Sequence, residues 1–184
     1  QFRNWFYSML AMSTILERRT PFHTCFGHGL VLDEKGQEMH KSSGNVIWFD
    51  DAAETIGADV MRWMYCRSRP ENNMLFGYTL AEEVKRRFLI PLWNVYSFFV
   101  TYANLDKWTP KNATTRYSLL DRWILSRLQV LVQDVTNRLE KYDAYDAAAN
   151  LEQFVDDLSK WYVRRSRRRF WKSEADLDKK AGYT

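Results

Sequence analysis

Glycine is scarce in this sequence and unevenly shared: Gly27, Gly29, Gly36, Gly44, Gly57 and Gly77 fall early, and only Gly182 follows. A stretch of about a hundred residues without glycine cannot be rich in turns, so the second part is expected to be nearly all helix. Cysteine is scarcer still. Cys25 and Cys66 stand far apart, with no Cys-x-x-Cys spacing and no histidine cluster. That argues against a zinc site and a disulfide framework, and leaves buried free thiols in a reducing, cytoplasmic setting as the expectation. No apolar run approaches the roughly 18 residues needed to cross a bilayer, and no signal peptide opens the chain. The sequence begins at Gln1 and runs straight into aromatic residues, which reads as a piece of something longer.

What is present is enough to fold. The chain has 184 residues, 46% of them hydrophobic, which excludes a disordered tail and fits one domain or a small domain plus part of another. The net charge of +4 is mild, but much of the positive charge lies near the C-terminus.

The first part reads as mixed α/β sequence. Residues 5–16 read as a buried helix, and His23 to Leu32 as a buried strand bounded by Gly and Asp. Asp33-Glu34-Lys35-Gly36 is a turn, Asp50 an attractive N-cap for a helix to about residue 57, and Ala58 to Cys66 a second apolar helix. From Thr79 the pattern is long and amphipathic. Val84, Phe88, Leu92, Val95, Phe99 and Tyr102 share a stripe that Pro91 is expected to kink or divide. Trp108 to Tyr117 is a connector. Ser118-Leu119-Leu120-Asp121 resembles a capping box and opens a helix with Ile124, Leu128, Leu131, Val135 and Leu139 on one face. Tyr142 and Asp143 break it. Asp146 is expected to cap a last helix that turns Ala147, Leu151, Phe154, Leu158 and Trp161 inward. Antiparallel helices with short links make a bundle.

Between strand and helix lies Gly36-Gln37-Glu38-Met39-His40-Lys41-Ser42-Ser43-Gly44-Asn45. In an open α/β fold such a loop leaves the carboxyl edge of a parallel sheet, where ligands bind. Lys41 would bring a compact charge to a phosphate, Ser42 and Ser43 hydroxyl donors, and Gly44 close backbone approach. On spacing alone a solvated polar turn is the commoner meaning of Lys-Ser-Ser-Gly.

Several stretches resemble one family in that family's own order. Glu38 to Asn45 resembles the KMSKS signature of class I aminoacyl-tRNA synthetases and the Gly-Asn that follows it. Gln1 to Ser8 resembles the segment ahead of the last part of their nucleotide-binding fold, and His28 to Asp33 the strand leading to the signature. Gly57-Ala58-Asp59-Val60-Met61-Arg62 is similar to the Gly-Ala-Asp-x-x-Arg of the valine, leucine and isoleucine branches. Leu92 to Tyr96 and Trp161 to Arg167 look most like the isoleucine branch. The resemblance covers nearly the whole chain. It implies the C-terminal part of a Rossmann-like fold (1–48), a connecting helical segment (49–77), and an incomplete antiparallel anticodon-binding bundle (78–184).

The implied chemistry is activation of an amino acid by ATP with magnesium, then transfer to tRNA. By the resemblance Lys41 and Ser42 are the catalytic candidates. His28, Gly29, Lys41, Ser42, Gly44 and Asn45 are the ATP candidates, and Gln1 and Trp5 flank the amino acid. For Trp5 a core aromatic, and for His28 a satisfied strand-end histidine, are the plainer alternatives. No metal ligand is assigned. Two positions depart from the signature: its first lysine is Glu38 and its first serine His40. The family's His-x-Gly-His and its editing insert are both missing, so the 184 residues alone are expected not to form adenylate.

From Lys160 to Lys172 seven positive charges occur with no acid. Arg164, Arg165, Arg167, Arg168 and Arg169 are the candidates for contact with RNA phosphates, as the anticodon-binding resemblance implies. The plain alternative is a solvated face paired with Asp156, Asp157 or Glu174. Rival functions are a valine or leucine enzyme, a stand-alone RNA-binding helical protein whose loop is a relic, and a structural bundle.

Overall fold

The computed structural model describes residues 4–112, 116–171 and 176–184. Helix α1 spans Trp5–Glu17 and ends where Arg18 takes a left-handed conformation, its N–H bonded to the Thr14 carbonyl at 3.1 Å. Strand β1 (Val31–Leu32) pairs in parallel with β2 (Met74–Leu75), Val31 opposite Met74 and Leu32 opposite Leu75. The crossover between them carries helices α2 (Phe49–Ile56) and α3 (Ala58–Cys66). Ala52, Ile56, Val60 and Met64 follow one another at four-residue spacing and bury one face of this pair. They meet Met74, Phe76 and Ala81, with Val31, Ile47, Val84 and Leu89 packed around them.

Four expectations need correction here. The strand expected over 23–32 is confined to Val31–Leu32, since it has a single, two-residue neighbour to pair with. Helix α1 forms as expected but carries no buried residue, because no described element covers its apolar face. Helix α2 starts two residues early, with Trp48 rather than Asp50 at the N-cap, so Asp50 and Asp51 sit in the first turn where the helix dipole favours them. Cys25 is exposed and Cys66 half-buried, both free.

Gly29 owes its identity to a close approach. Its N–H donates to the Pro70 carbonyl at 2.6 Å, and a Cβ there would stand 2.4 Å from the Asn72 carbonyl oxygen. Gly29→Ala is therefore expected to cost about 1–3 kcal/mol, the usual range for forced overpacking, read as a lower urea midpoint with an unchanged slope.

Helix α4 (Tyr78–Val84) receives its N-terminal cap from a distance. The Glu34 carboxylate accepts from the Thr79 and Leu80 amides at 2.7 and 3.1 Å. A widened, π-helical turn at Lys85–Leu89 then leads into α5 (Ile90–Leu105) without a break. Pro91 neither divides nor ends the rod. It lacks an N–H and its ring would strike a carbonyl one turn back, and the wide turn ahead of it accommodates both.

Helix α6 (Leu119–Leu139) opens with the expected capping box: Asp121 N–H donates to Ser118 Oγ at 3.2 Å and Ser118 N–H to Asp121 Oδ2 at 2.8 Å. Helix α7 (Ala144–Asp156) packs against it. The cap of α7 is Asp143, whose Oδ1 accepts from Asp146 N–H at 3.1 Å, rather than Asp146 itself. A second widened turn, Asp157–Val163, joins α7 to α8 (Arg164–Trp171), and α9 (Asp176–Tyr183) follows. Widening shifts the helix phase, so Ser166 and Phe170 are buried while Trp161, expected inward, is half-exposed. Leu128 and Leu139 are also more exposed than their stripe implied. Ala103, Phe170 and Tyr183 form a second, aromatic-rich core with Phe98, Tyr102 and Trp108. Among the described residues no helix is long and apolar enough to cross a membrane.

Candidate functional site

The basic loop leaves the carboxyl end of β1 and is folded onto itself by one amide. Asn45 Nδ2 donates to Asp33 Oδ2 at 2.9 Å and to the Glu38 carbonyl at 3.0 Å, while its Oδ1 accepts from His40 N–H at 3.1 Å. Asp33 Oδ1 also accepts from the Lys35 and Gln37 amides at 2.9 and 2.8 Å. The Asn45 amide and the Gln37 N–H hold the Asp33 carboxyl below the usual carboxylate range. An antiparallel bridge between Leu32 and Glu38 closes the base of the loop.

At the tip, Lys41–Ser43 make one 3₁₀ turn ended by Gly44 at φ 67°, a conformation that favours glycine. A Cβ at Gly44 would meet open space, so its φ rather than crowding selects glycine there. Lys41, Ser42 and Gly44 are exposed. The Lys41 ammonium lies over the Trp48 ring, 5.0 Å from its centroid, and among the described residues no carboxylate is within ion-pair reach of it. Glu38 and His40, the two departures from the signature, face each other: Glu38 Oε2 and His40 Nε2 are 3.1 Å apart.

His28 and Gly29 lie elsewhere, on the wall of an apolar cavity of about 360 Å³ that Phe26, Leu30, Tyr65 and Tyr142 also line. His28 is exposed, with Nδ1 2.8 Å from the Gly29 carbonyl oxygen. The loop residues do not line this cavity, so the expected ATP residues form two groups rather than one. Trp5 is exposed on α1, edge-to-face with Phe6 at 5.3 Å, and is not a core aromatic within these residues. Gln1 lies outside the described residues.

In α8, Arg164, Arg165, Arg167 and Arg168 are exposed, and among the described residues none has an ion-pair partner. The carboxylates considered as partners are otherwise engaged: Asp156 with Lys160 at 2.7 Å and Asp157 with Arg127 at 3.1 Å. Glu174 lies outside the described residues. The Arg165 guanidinium stacks on the Trp161 ring at 4.0 Å. Arg169 departs from this pattern. Its fork meets Asp121 at 2.6 and 3.0 Å, and Nη2 also reaches the Asp178 carbonyl at 2.7 Å. Buried in that pair, Arg169 stitches the bundle and is withdrawn from the exposed basic track.

Sequence reasoning missed the joint between the two parts. Trp63 Nε1 donates to Glu152 at 2.9 Å, Arg67 pairs with Glu152 at 3.1 Å, and Arg67 and Arg69 both lie over the Tyr145 ring. It also missed Trp48 beneath Lys41. No local spacing announces either contact. Among the described residues no group of three or more His, Cys, Asp or Glu side chains is arranged to hold a metal ion.

Comparison with known proteins places this geometry in context. Residues 1–76 match the family described as tRNA synthetases class I (I, L, M and V), and residues 121–184 the anticodon-binding domain of tRNA ligase. The chain is 50% identical over its whole length to an isoleucine–tRNA ligase from Dehalococcoides mccartyi, 48% to one from Thermus thermophilus and 44% to one from Clostridium tetani. It spans 18% of the length of each of these curated relatives. Its fold is similar to part of a solved structure, the ternary complex of Agrobacterium radiobacter K84 agnB2 LeuRS, tRNA and LeuAMS. The TM-score is 0.67 and the identity 17%, over 97% of this chain and 22% of that one.

Proposed function

We propose that this chain belongs to the class I tRNA synthetases and that its parent protein is a cytoplasmic isoleucine–tRNA ligase in which the Lys41 loop serves amino-acid activation and the helical bundle serves tRNA binding. A carboxylate oxygen of isoleucine attacks the α-phosphorus of ATP, the bond to the β-phosphate oxygen breaks, and pyrophosphate leaves. The aminoacyl group then passes to a ribose hydroxyl at the end of tRNA, with AMP departing. Little covalent work falls to the protein, so positioning and charge carry the step. Lys41 is the charge for the departing pyrophosphate, Ser42 a hydroxyl donor beside it, and Gly44 and Asn45 the hinge and internal brace.

The observation that carries this proposal is the exposed Lys41 ammonium, with no carboxylate partner among the described residues, on a braced, glycine-hinged loop at the end of a parallel strand. Magnesium accompanies the ATP, and no protein ligand for it is assigned. His28 and Gly29 remain candidates for the adenine side, and Gln1 and Trp5 for the amino-acid side. The division at residues 48 and 77 belongs to the same proposal. The test is amino-acid-dependent ATP–pyrophosphate exchange by the parent protein. Isoleucine should drive it best, valine and leucine less, and no exchange with any of the three would overturn the proposal.

The exposed α8 arginines supply the RNA half. Binding of tRNA should weaken steeply between 50 and 200 mM salt. Arg164, Arg165 and Arg168 changed to Ala together should reduce the slope of log affinity against log salt by about one unit for each phosphate left without its arginine. An unchanged slope and affinity, measured by filter binding, would remove α8 from the RNA track.

A further inference from the structure

The loop and the turn before it contain more acid than their proposed task welcomes: Asp33, Glu34 and Glu38 all precede Lys41. Each of these carboxylates is committed locally. Asp33 is taken by Asn45 and two amides, and Glu34 by the N-terminus of α4. Glu38 is taken by the imidazole of His40. The backbone of that last pair is fixed, because the Glu38 carbonyl and the His40 N–H both bond to the one Asn45 side chain.

Glu38 would be the most damaging of the three if it were free. It lies three residues before Lys41, at the base of the same loop, a separation in sequence that two long side chains can span. An ammonium held in that way would be neutralised where the phosphate chain needs it. In the structure His40 engages Oε2 of that carboxylate, and Lys41 rests instead on the Trp48 face, a weak hold. Resting on the proposed role of Lys41, we infer that His40 is a positioning residue that masks the Glu38 carboxylate and so keeps the Lys41 ammonium available to the triphosphate. Glu38 and His40 then act as one compensated unit, and the two departures from the signature explain each other.

The test is a double-mutant cycle in the parent protein, read by isoleucine-dependent ATP–pyrophosphate exchange with kcat and the ATP KM resolved. His40→Ala should lower kcat/KM for ATP by about threefold to fivefold, the order for one solvent-exposed charge pair. Glu38→Gln should match or exceed the wild type. The double variant should return to the Glu38→Gln level, a rescue that a merely structural role for His40 would not give. An unaffected His40→Ala, or a double variant as slow as His40→Ala, would overturn the inference while leaving the proposed activity intact. No exchange by the wild type would overturn both. Both side chains are exposed, and equal urea midpoints for the four proteins check that folding is not what is being read.

Discussion

Lys41→Ala in the parent protein is expected to slow isoleucine-dependent adenylate formation by about a hundredfold or more, the usual cost of removing one preorganised donor from a developing anion. The loss should fall mainly on kcat, because the negative charge that Lys41 meets grows as pyrophosphate departs. Three features of the structure make Lys41 suited to that role. It is exposed on a turn whose hinge is Gly44, the loop beneath it is braced by Asn45, and no carboxylate pairs with it among the described residues. The Trp48 face that holds it is worth only about 0.5–1 kcal/mol at an exposed site, so the ammonium can leave at little cost. Lys41→Arg should recover part of the rate, since it restores the charge with a different shape and reach. Quench-flow measurement of adenylate formation checks both variants. A Lys41→Ala protein within a few-fold of wild type would show that the ammonium is a bystander.

Asp121→Ala is expected to give the largest loss of stability, about 3–5 kcal/mol, the range for breaking one side of a buried ion pair. The Asp121 carboxylate is almost fully buried and accepts from Arg169 at 2.6 and 3.0 Å, from Tyr162 Oη at 2.7 Å and from Ser118 N–H at 2.8 Å. Its removal takes away the acceptor of the Ser118 N–H, one half of the α6 capping box, and leaves the largely buried Arg169 guanidinium with Asp178 as its remaining carboxylate partner. Burial alone would raise the Asp121 pKa, but the bonds from Arg169, Tyr162 and Ser118 outweigh it and hold the carboxyl below its ordinary value of 3.8. A folded pKa below the unfolded one means stability that is complete above the ordinary value and lost as pH falls through the lowered one. Urea midpoints measured from neutral pH down through that window should fall in the wild type, with the Asp121 share of that fall missing from Asp121→Ala.

The contrast between these two residues shows where the sequence was legible. The capping box at Ser118 and Asp121 was readable because both partners lie within one turn, and so was helix α3. The loop was readable through its residue types in a family's order. Arg169 was not separable from its basic neighbours, because its partner lies 48 residues away. The phase that turns it inward is set by the widened turn at Asp157–Val163, which no simple 3.6-residue count anticipates. The same turn moved Trp161 outward. Helix α1 and the segment before β1 failed differently: their apolar residues predicted burial, and Ile15, Leu16, Phe26 and Leu30 are exposed. Trp48 and the Arg67–Glu152 joint depend on contacts across the fold and had no local signal.

A crystal structure of the parent protein bound to isoleucine and a non-hydrolysable ATP analogue tests the central claim most directly. The Lys41 ammonium should have left the Trp48 ring and lie about 2.7–2.9 Å from a phosphate oxygen, as a charge-assisted bond requires. An ammonium still seated over Trp48 in that complex, and again with an isoleucyl-adenylate mimic, would contradict it.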